Sequence, residues 1–171
     1  MSISLVQASV EVFVPYLHNL SGVLDKAAAF AEARRIDPAD LLQARLAPDM
    51  YNLIRQVCEA NRHATIACAL LAGRAQPTVA DSDTDMAGLK ARIATAIDDV
   101  RSVPPAAIEE GAKREVSFTF RNGATRSFDD GRSLLLTFSL PQFFFHVTTA
   151  YDILRHAGVP LAKPDYLGAR R

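Results

Sequence analysis

Four stretches of the chain repeat apolar residues at intervals of three and four, and a single short stretch alternates instead. That ratio of patterns constrains the fold more than any single residue. Val10, Phe13, Leu17, Leu20, Leu24, Ala28 and Ala31 form one such stripe. It predicts a long amphipathic helix from Ile3 to Arg35, kinked where Pro15 removes a backbone hydrogen bond. Leu53, Val57, Ala60, Ala64, Ala67 and Leu71 make a second stripe, on a helix from Met50 to about Ala72 that Asp49 could cap. Leu89, Ile93, Ala96 and Ile97 make a third, from Met86 to Val100. The fourth helix runs from about Gly131 to His156, with Gly158 as its stop and Pro160 and Pro164 holding the tail extended. Between the first two, Asp37 and Pro38 begin a short helix. Val116, Phe118 and Phe120 alternate with polar neighbours, and "RNGA" supplies the Asn-Gly of a tight turn, so a two-stranded hairpin precedes the last helix. A lone hairpin is marginally stable, so it must pack on the helices. The expected fold is an all-α four-helix bundle with one small hairpin, in a single domain over residues 1–171.

Composition excludes several functions. Of 171 residues, 49% are apolar, while 19 basic residues balance 19 acidic ones. Nothing in that balance favours a nucleic-acid partner, because neutralising phosphates takes an excess of Lys and Arg on one face. No apolar run is long enough to span a bilayer, and "MSISLVQASVEVFVPYL" reads as a helix start and not a signal peptide. Cys58 and Cys68 stand ten apart on one helix, roughly 15 Å, which is beyond disulfide reach. They are expected to be buried thiols in a reducing cytoplasm.

The last helix holds the candidate site. Leu135, Ser139, Gln142, His146, Ala150, Ile153 and Ala157 share one stripe, which places two polar side chains on a core-facing face. Phe143, Phe144 and Phe145 fan around the rest. Three consecutive rings cannot all face one core, so a homodimer is expected. The other histidines are assigned to the surface or to caps: His18 beside the first stripe, His63 beside Asn52 and Glu59, and His156 in a final helical turn that favours a cation. Arg121 and Arg126 flank the hairpin turn and are expected at an exposed tip. No GxGxxG, P-loop, GxSxG or CxxC motif is present.

"LQARLAPDM", "RQV" and "LPQFFFHVTTAYDILRHAGV" resemble a DinB-related family known only as a domain of unknown function, over nearly the whole chain. The architecture likewise resembles the DinB-like superfamily of helical bundles. Members often hold a metal on three histidines, one on the second helix and two, four residues apart, on the last. The resemblance places His146 at the second of that pair, Gln142 at the first, and Gln56 at the second-helix position. Amide oxygens are weak ligands for zinc or nickel, and a catalytic site wants about three good donors. Gln56, Gln142 and His146 are therefore expected to hydrogen-bond one another or a trapped water, in a degenerate site without a cofactor. His146 remains the weak candidate ligand, with zinc or nickel as the alternative. Two functions stand: a bundle that binds a partner or small molecule through its interior groove, and a metal-dependent transferase or hydrolase of the DinB-like type.

Overall fold

The computed structural model describes residues 3–79 and 85–168. Helices dominate it: α1 (Leu5–Ala8), α2 (Val10–Arg34), α3 (Pro38–Gln43), α4 (Leu53–Leu71), α5 (Met86–Arg101) and α6 (Pro105–Glu110). A 3₁₀ turn (Gly111–Lys113) leads to β1 (Val116–Thr119) and β2 (Thr125–Phe128). The chain closes with α7 (Gly131–Leu134), a π-helical segment (Leu135–Ser139), α8 (Leu140–His156) and α9 (Lys163–Leu167). The four long helical elements are α2, α4, α5 and the run from α7 to α8, and they form the expected bundle. Among the described residues, no helix is long and apolar enough to cross a membrane.

The stripes account for the main core. Phe13, Leu17, Leu20 and Leu24 of α2 meet Leu53, Val57, Ala60 and Ala64 of α4, Leu89 and Ile93 of α5, and Phe143, Ala150 and Ile153 of α8. Alanines along α4 let its neighbours approach closely. Cys58 and Cys68 are buried free thiols. A second, smaller core lies under the hairpin, where Val116, Phe118 and Phe128 pack on Ile66, Leu70, Leu134 and Phe138.

The hairpin is antiparallel, with Val116 opposite Phe128 and Thr119 opposite Thr125. Its connection is longer than a two-residue Asn-Gly turn. Phe120 N–H donates to Ala124 O at 2.8 Å, and Gly123 N–H returns to Phe120 O at 3.0 Å. Arg121, Asn122 and Gly123 thus form a three-residue loop, with Gly123 supplying the left-handed residue (φ 82°) that such a loop needs.

Several local expectations need correction. The first helix breaks at Ser9, whose hydroxyl donates back to Leu5 O at 2.6 Å and competes with the backbone ladder. Beyond that break α2 runs unbroken through Pro15. The α1 segment is tied down by Glu109, which accepts from the N–H groups of Val6 at 2.8 Å and Leu5 at 3.2 Å. The second long helix starts at Leu53 rather than Met50. Its cap is Asn52, whose side chain accepts from Arg55 N–H at 3.0 Å, and not Asp49. "VPPAAIEE" ends α5 but then forms α6. The last helix contains the π segment, in which Leu140 N–H reaches five residues back to Leu135 O. Pro164 does not keep the tail extended. It occupies the first turn of α9, where no N–H donor is required.

The three phenylalanines part company. Phe143 is fully buried against Phe13, with ring centroids 4.9 Å apart. Phe144 is half-buried and meets Tyr16 edge-on at 5.0 Å. Phe145 stays 54% exposed. The apolar excess that motivates a dimer is thus one ring rather than three.

The end of α4, the 3₁₀ turn and the start of α7 approach one another so closely that their glycines have no room for a side chain. A Cβ on Gly111 would lie 2.0 Å from Leu71 O, and one on Gly131 would lie 2.4 Å from Gly111 O. Neither oxygen can move without unwinding its own segment. Gly111→Ala is therefore expected to destabilise the protein by about 2–3 kcal/mol. Urea denaturation should register this, whereas Gly22→Ala, where a Cβ meets nothing within 4 Å, should not lower stability.

Candidate functional site

A cavity of about 370 Å³ opens where α4 and α8 run side by side beneath the tip of the hairpin. The α4 helix contributes Glu59, Arg62 and His63, and α8 contributes Gln142 and His146. Phe120, Arg121 and Asn122 come from the hairpin loop and its approach, and Tyr51 from the segment before α4. The spacing explains the convergence. Asn52, Gln56, Glu59 and His63 recur at four, three and four, which is one face of a helix. Gln142 and His146 are one turn apart on the facing helix.

Gln56 fixes the state of His146. Its Nε2 donates to Tyr51 O at 3.2 Å, so its Oε1 faces the other way and meets His146 Nδ1 at 2.7 Å. An amide oxygen only accepts, so Nδ1 must carry the proton and Nε2 holds the lone pair. Burial lowers the His146 pKa to about 4. Glu59 opposes that shift and Arg55 adds to it. At neutral pH the ring is thus an uncharged base of defined tautomer.

His63 lies between two rings. It stacks on Phe118 at 5.5 Å with 7° between planes, and on His146 at 5.7 Å with 14°. Phe138 meets its edge at 5.6 Å, and Tyr51 extends the stack beyond His146 at 6.5 Å. Burial pushes the His63 pKa down to about 3, with His146 and Arg62 contributing. Its Nδ1 is buried and has no hydrogen-bond partner among the described residues.

Glu59 is only 6% exposed and is compensated by three guanidinium groups. Arg121 Nε donates to Oε1 at 2.9 Å, and Arg55 Nε pairs with the same oxygen at 3.1 Å. Oε2 has a looser partner, Arg62 Nη1 at 3.7 Å. Arg62 is itself held by Thr119 O at 3.0 Å and lies over the Phe118 ring at 5.0 Å. Donor atoms of Glu59, His63 and His146 all lie within 4.8 Å of one another.

The positions singled out in the sequence are therefore placed as follows. Gln56 and His146 form a direct pair. Gln142 is half-buried and lines the same cavity, one turn from His146. His18 and His156 are exposed, and His18 Nε2 lies 3.3 Å from Arg101 Nη2. His63 is not a surface residue: it is 4% exposed, because the hairpin lays Phe118 over it. The turn arginines are exposed, as expected, and both also make contacts. Arg121 reaches Glu59, and Arg126 lies over Phe128 and Phe138 at 5.0 and 5.3 Å. Sequence reading missed Glu59, Arg62 and His63 as site residues. The polar stripe through Asn52, Gln56, Glu59 and His63 was the available signal.

A family model described as "Domain of unknown function (DUF1993)" matches residues 5–167. The fold is similar to the crystal structure of a DinB family member protein from Shewanella denitrificans, with a TM-score of 0.85 and 36% sequence identity. That match covers 96% of this chain and 92% of the other. No match is found among curated proteins.

The two depressed histidines link stability to pH. Their folded pKa values lie below the ordinary value of 6.5, so the unfolded chain binds more protons below that pH. Their contribution is neutral above about pH 6.5 and increasingly destabilising as pH falls towards 4 for His146 and 3 for His63. His63→Phe removes one of these proton-linked groups and keeps the ring stack. Relative to the parent, the variant should gain about 1.4 kcal/mol per pH unit between about pH 5.5 and 4. Denaturation curves at three pH values measure it, and a pH-independent difference would be the contrary result.

Proposed function

We propose, for a chain that belongs to the DUF1993 family and has a DinB-like fold, that the interior cavity binds one divalent transition-metal ion on Glu59, His63 and His146. The carrying observation is the buried His63 Nδ1, a lone pair or N–H with no partner, beside a second imidazole whose free nitrogen is defined by Gln56. Buried polar atoms are seldom left this way without an absent water or ion.

The donor set suits zinc or nickel better than two amides and one histidine would. Both imidazoles are neutral at pH 7, which is the ligating form. His146 Nδ1–H donates to a carbonyl oxygen, the usual outer partner of a metal-bound histidine. Glu59 Oε2, paired with Arg62 at the longer distance of 3.7 Å, is the carboxylate oxygen better placed to turn to an ion. The guanidinium groups around Glu59 oppose a cation and weaken the site. Such an ion supplies Lewis acidity and lowers the pKa of a bound water. The chain's own residues orient and shield. Gln56 holds the His146 tautomer, the Phe118 and Phe138 rings keep water from His63, and Gln142 offers an amide to whatever enters. Among the described residues, no serine, threonine or cysteine lines the cavity. A DinB-like transferase or hydrolase reaction here would therefore draw its nucleophile from water or from an incoming molecule.

Calorimetric titration of untagged, metal-free protein with zinc and with nickel at pH 7 tests the reading. One ion per chain is expected. His63→Ala and His146→Ala should each weaken binding by at least tenfold, and Gln56→Leu by about 10–100-fold. Absent binding, or binding unchanged in both histidine variants, would leave Gln56 and His146 as a structural hydrogen-bonded pair.

A further inference from the structure

The Asn-Gly pair of the hairpin loop plays no part in holding an ion. The chain has four asparagines, Asn19, Asn52, Asn61 and Asn122, and Asn122 is the one followed by glycine. Asn19 and Asn61 lie inside α2 and α4, where the next backbone N–H belongs to the helical ladder. Asn52 caps α4, and the Leu53 N–H that follows it donates to Ala44 O at 3.0 Å. Asn122 is differently placed. Arg121, Asn122 and Gly123 are all exposed. Gly123 takes the left-handed conformation (φ 82°), and a Cβ there would meet nothing within 4 Å. Asn122 Oδ1 accepts from Ala124 N–H at 3.1 Å, which folds the carboxamide back along the intervening Gly123 peptide. The same bond draws electron density from the amide carbon. Gly123 N–H donates to Phe120 O at 3.0 Å, and this bond must open before its nitrogen can react.

We propose that Asn122 is a site of spontaneous deamidation in the folded protein, with the product carboxylate in the lining of the cavity. Gly123 N loses its proton and forms a bond to Asn122 Cγ, while the amide nitrogen takes up a proton and leaves as ammonia. Water then opens the cyclic imide at either carbonyl, giving aspartate or isoaspartate, and nothing is oxidised or reduced. Attack from within the loop outruns attack by solvent because the two atoms are held near each other. Glycine admits it because no side chain crowds the nitrogen. Asn122 lines the cavity, and among the described residues of that lining Glu59 is the acidic one. The exchange therefore gives the cavity a second carboxylate, beside the Arg121 that reaches Glu59. No ion takes part, so the reaction stands apart from the ion-binding reading.

The intact protein, kept at 37 °C for weeks at pH 7 and at pH 9, tests this by peptide mapping with mass spectrometry at every asparagine. The mass gain of an amide-to-acid exchange is expected at Asn122 and not at Asn19, Asn52 or Asn61. It should be faster at pH 9, because the attacking nitrogen must lose its proton. Two products should separate, one with aspartate and one with isoaspartate, and isoelectric focusing should show a matching acidic species. Asn122→Gln keeps an amide in the loop but needs a larger ring to close, so the acidic species should be lost. An unchanged Asn122 at pH 9 would overturn the proposal. So would exchange that proceeds only in urea-unfolded protein, because the native loop would then block the attack. Aspartate without isoaspartate would also overturn it, since water would then have attacked the side chain directly and not through Gly123.

Discussion

Gln56 accepts the Nδ1 proton of His146 at 2.7 Å while its own amide nitrogen is held by the Tyr51 carbonyl. The arrangement of the cavity depends on this chain of two bonds. It joins the segment before α4, α4 itself and α8 at one point. Because Gln56 is 1% exposed and His146 6%, neither partner has water to fall back on, and losing one leaves a buried polar group at a cost of about 1–3 kcal/mol. It also decides chemistry. With Nδ1 committed, the basic nitrogen of His146 is Nε2, and the ring plane that His63 stacks upon is set. A glutamine at this position serves as the positioning group for a histidine rather than as a weak ligand in its own right.

The second constraint is the hairpin. The polar face of α4, with Glu59, Arg62, His63 and Thr65, would be solvent-exposed on a bare bundle. Phe118 and Phe120 lay an apolar cover over it, and Arg62 answers by donating to the hairpin's Thr119 carbonyl. The pKa depression of His63 follows from that cover, as does the trapping of Glu59 among guanidinium groups. A small sheet of two short strands thereby converts a helix's outer face into an interior site. The π-helical segment at Leu135–Ser139 belongs to the same region, since its Phe138 contacts both His63 and Phe118.

Much of the fold was legible because helix stripes depend on local periodicity. The stripe through Phe13, Leu17, Leu20 and Leu24 faces the core as its spacing requires, and Val116, Phe118 and Phe128 point inward from the hairpin. What escaped was set partly by competition among neighbouring hydrogen-bonding groups and partly by contacts distant in sequence. The break at Ser9 depends on a hydroxyl choosing the Leu5 carbonyl, and Asn52 outcompetes Asp49 as cap by reaching the Arg55 N–H. Periodicity assigns polar residues on α4 to solvent, so it places His63 outside; only the hairpin, more than fifty residues later, buries it. The pairing of Arg121 with Glu59 spans 62 positions and leaves no local trace. Gln56 was singled out through family resemblance, and Gln142 and His146 through their shared stripe. The gathering of Glu59, Arg62 and Arg121 around them emerges only in three dimensions.

The tautomer of His146 tests this account most directly. Long-range ¹⁵N–¹H correlation of metal-free protein at about pH 6 distinguishes a protonated from an unprotonated ring nitrogen. The account expects His146 to be neutral, with the proton on Nδ1 and a bare Nε2, and expects Gln56→Leu to release that preference. A charged ring at that pH, or a proton on Nε2 with Nδ1 bare, would contradict it, because the Gln56 oxygen would then face a lone pair rather than a donor.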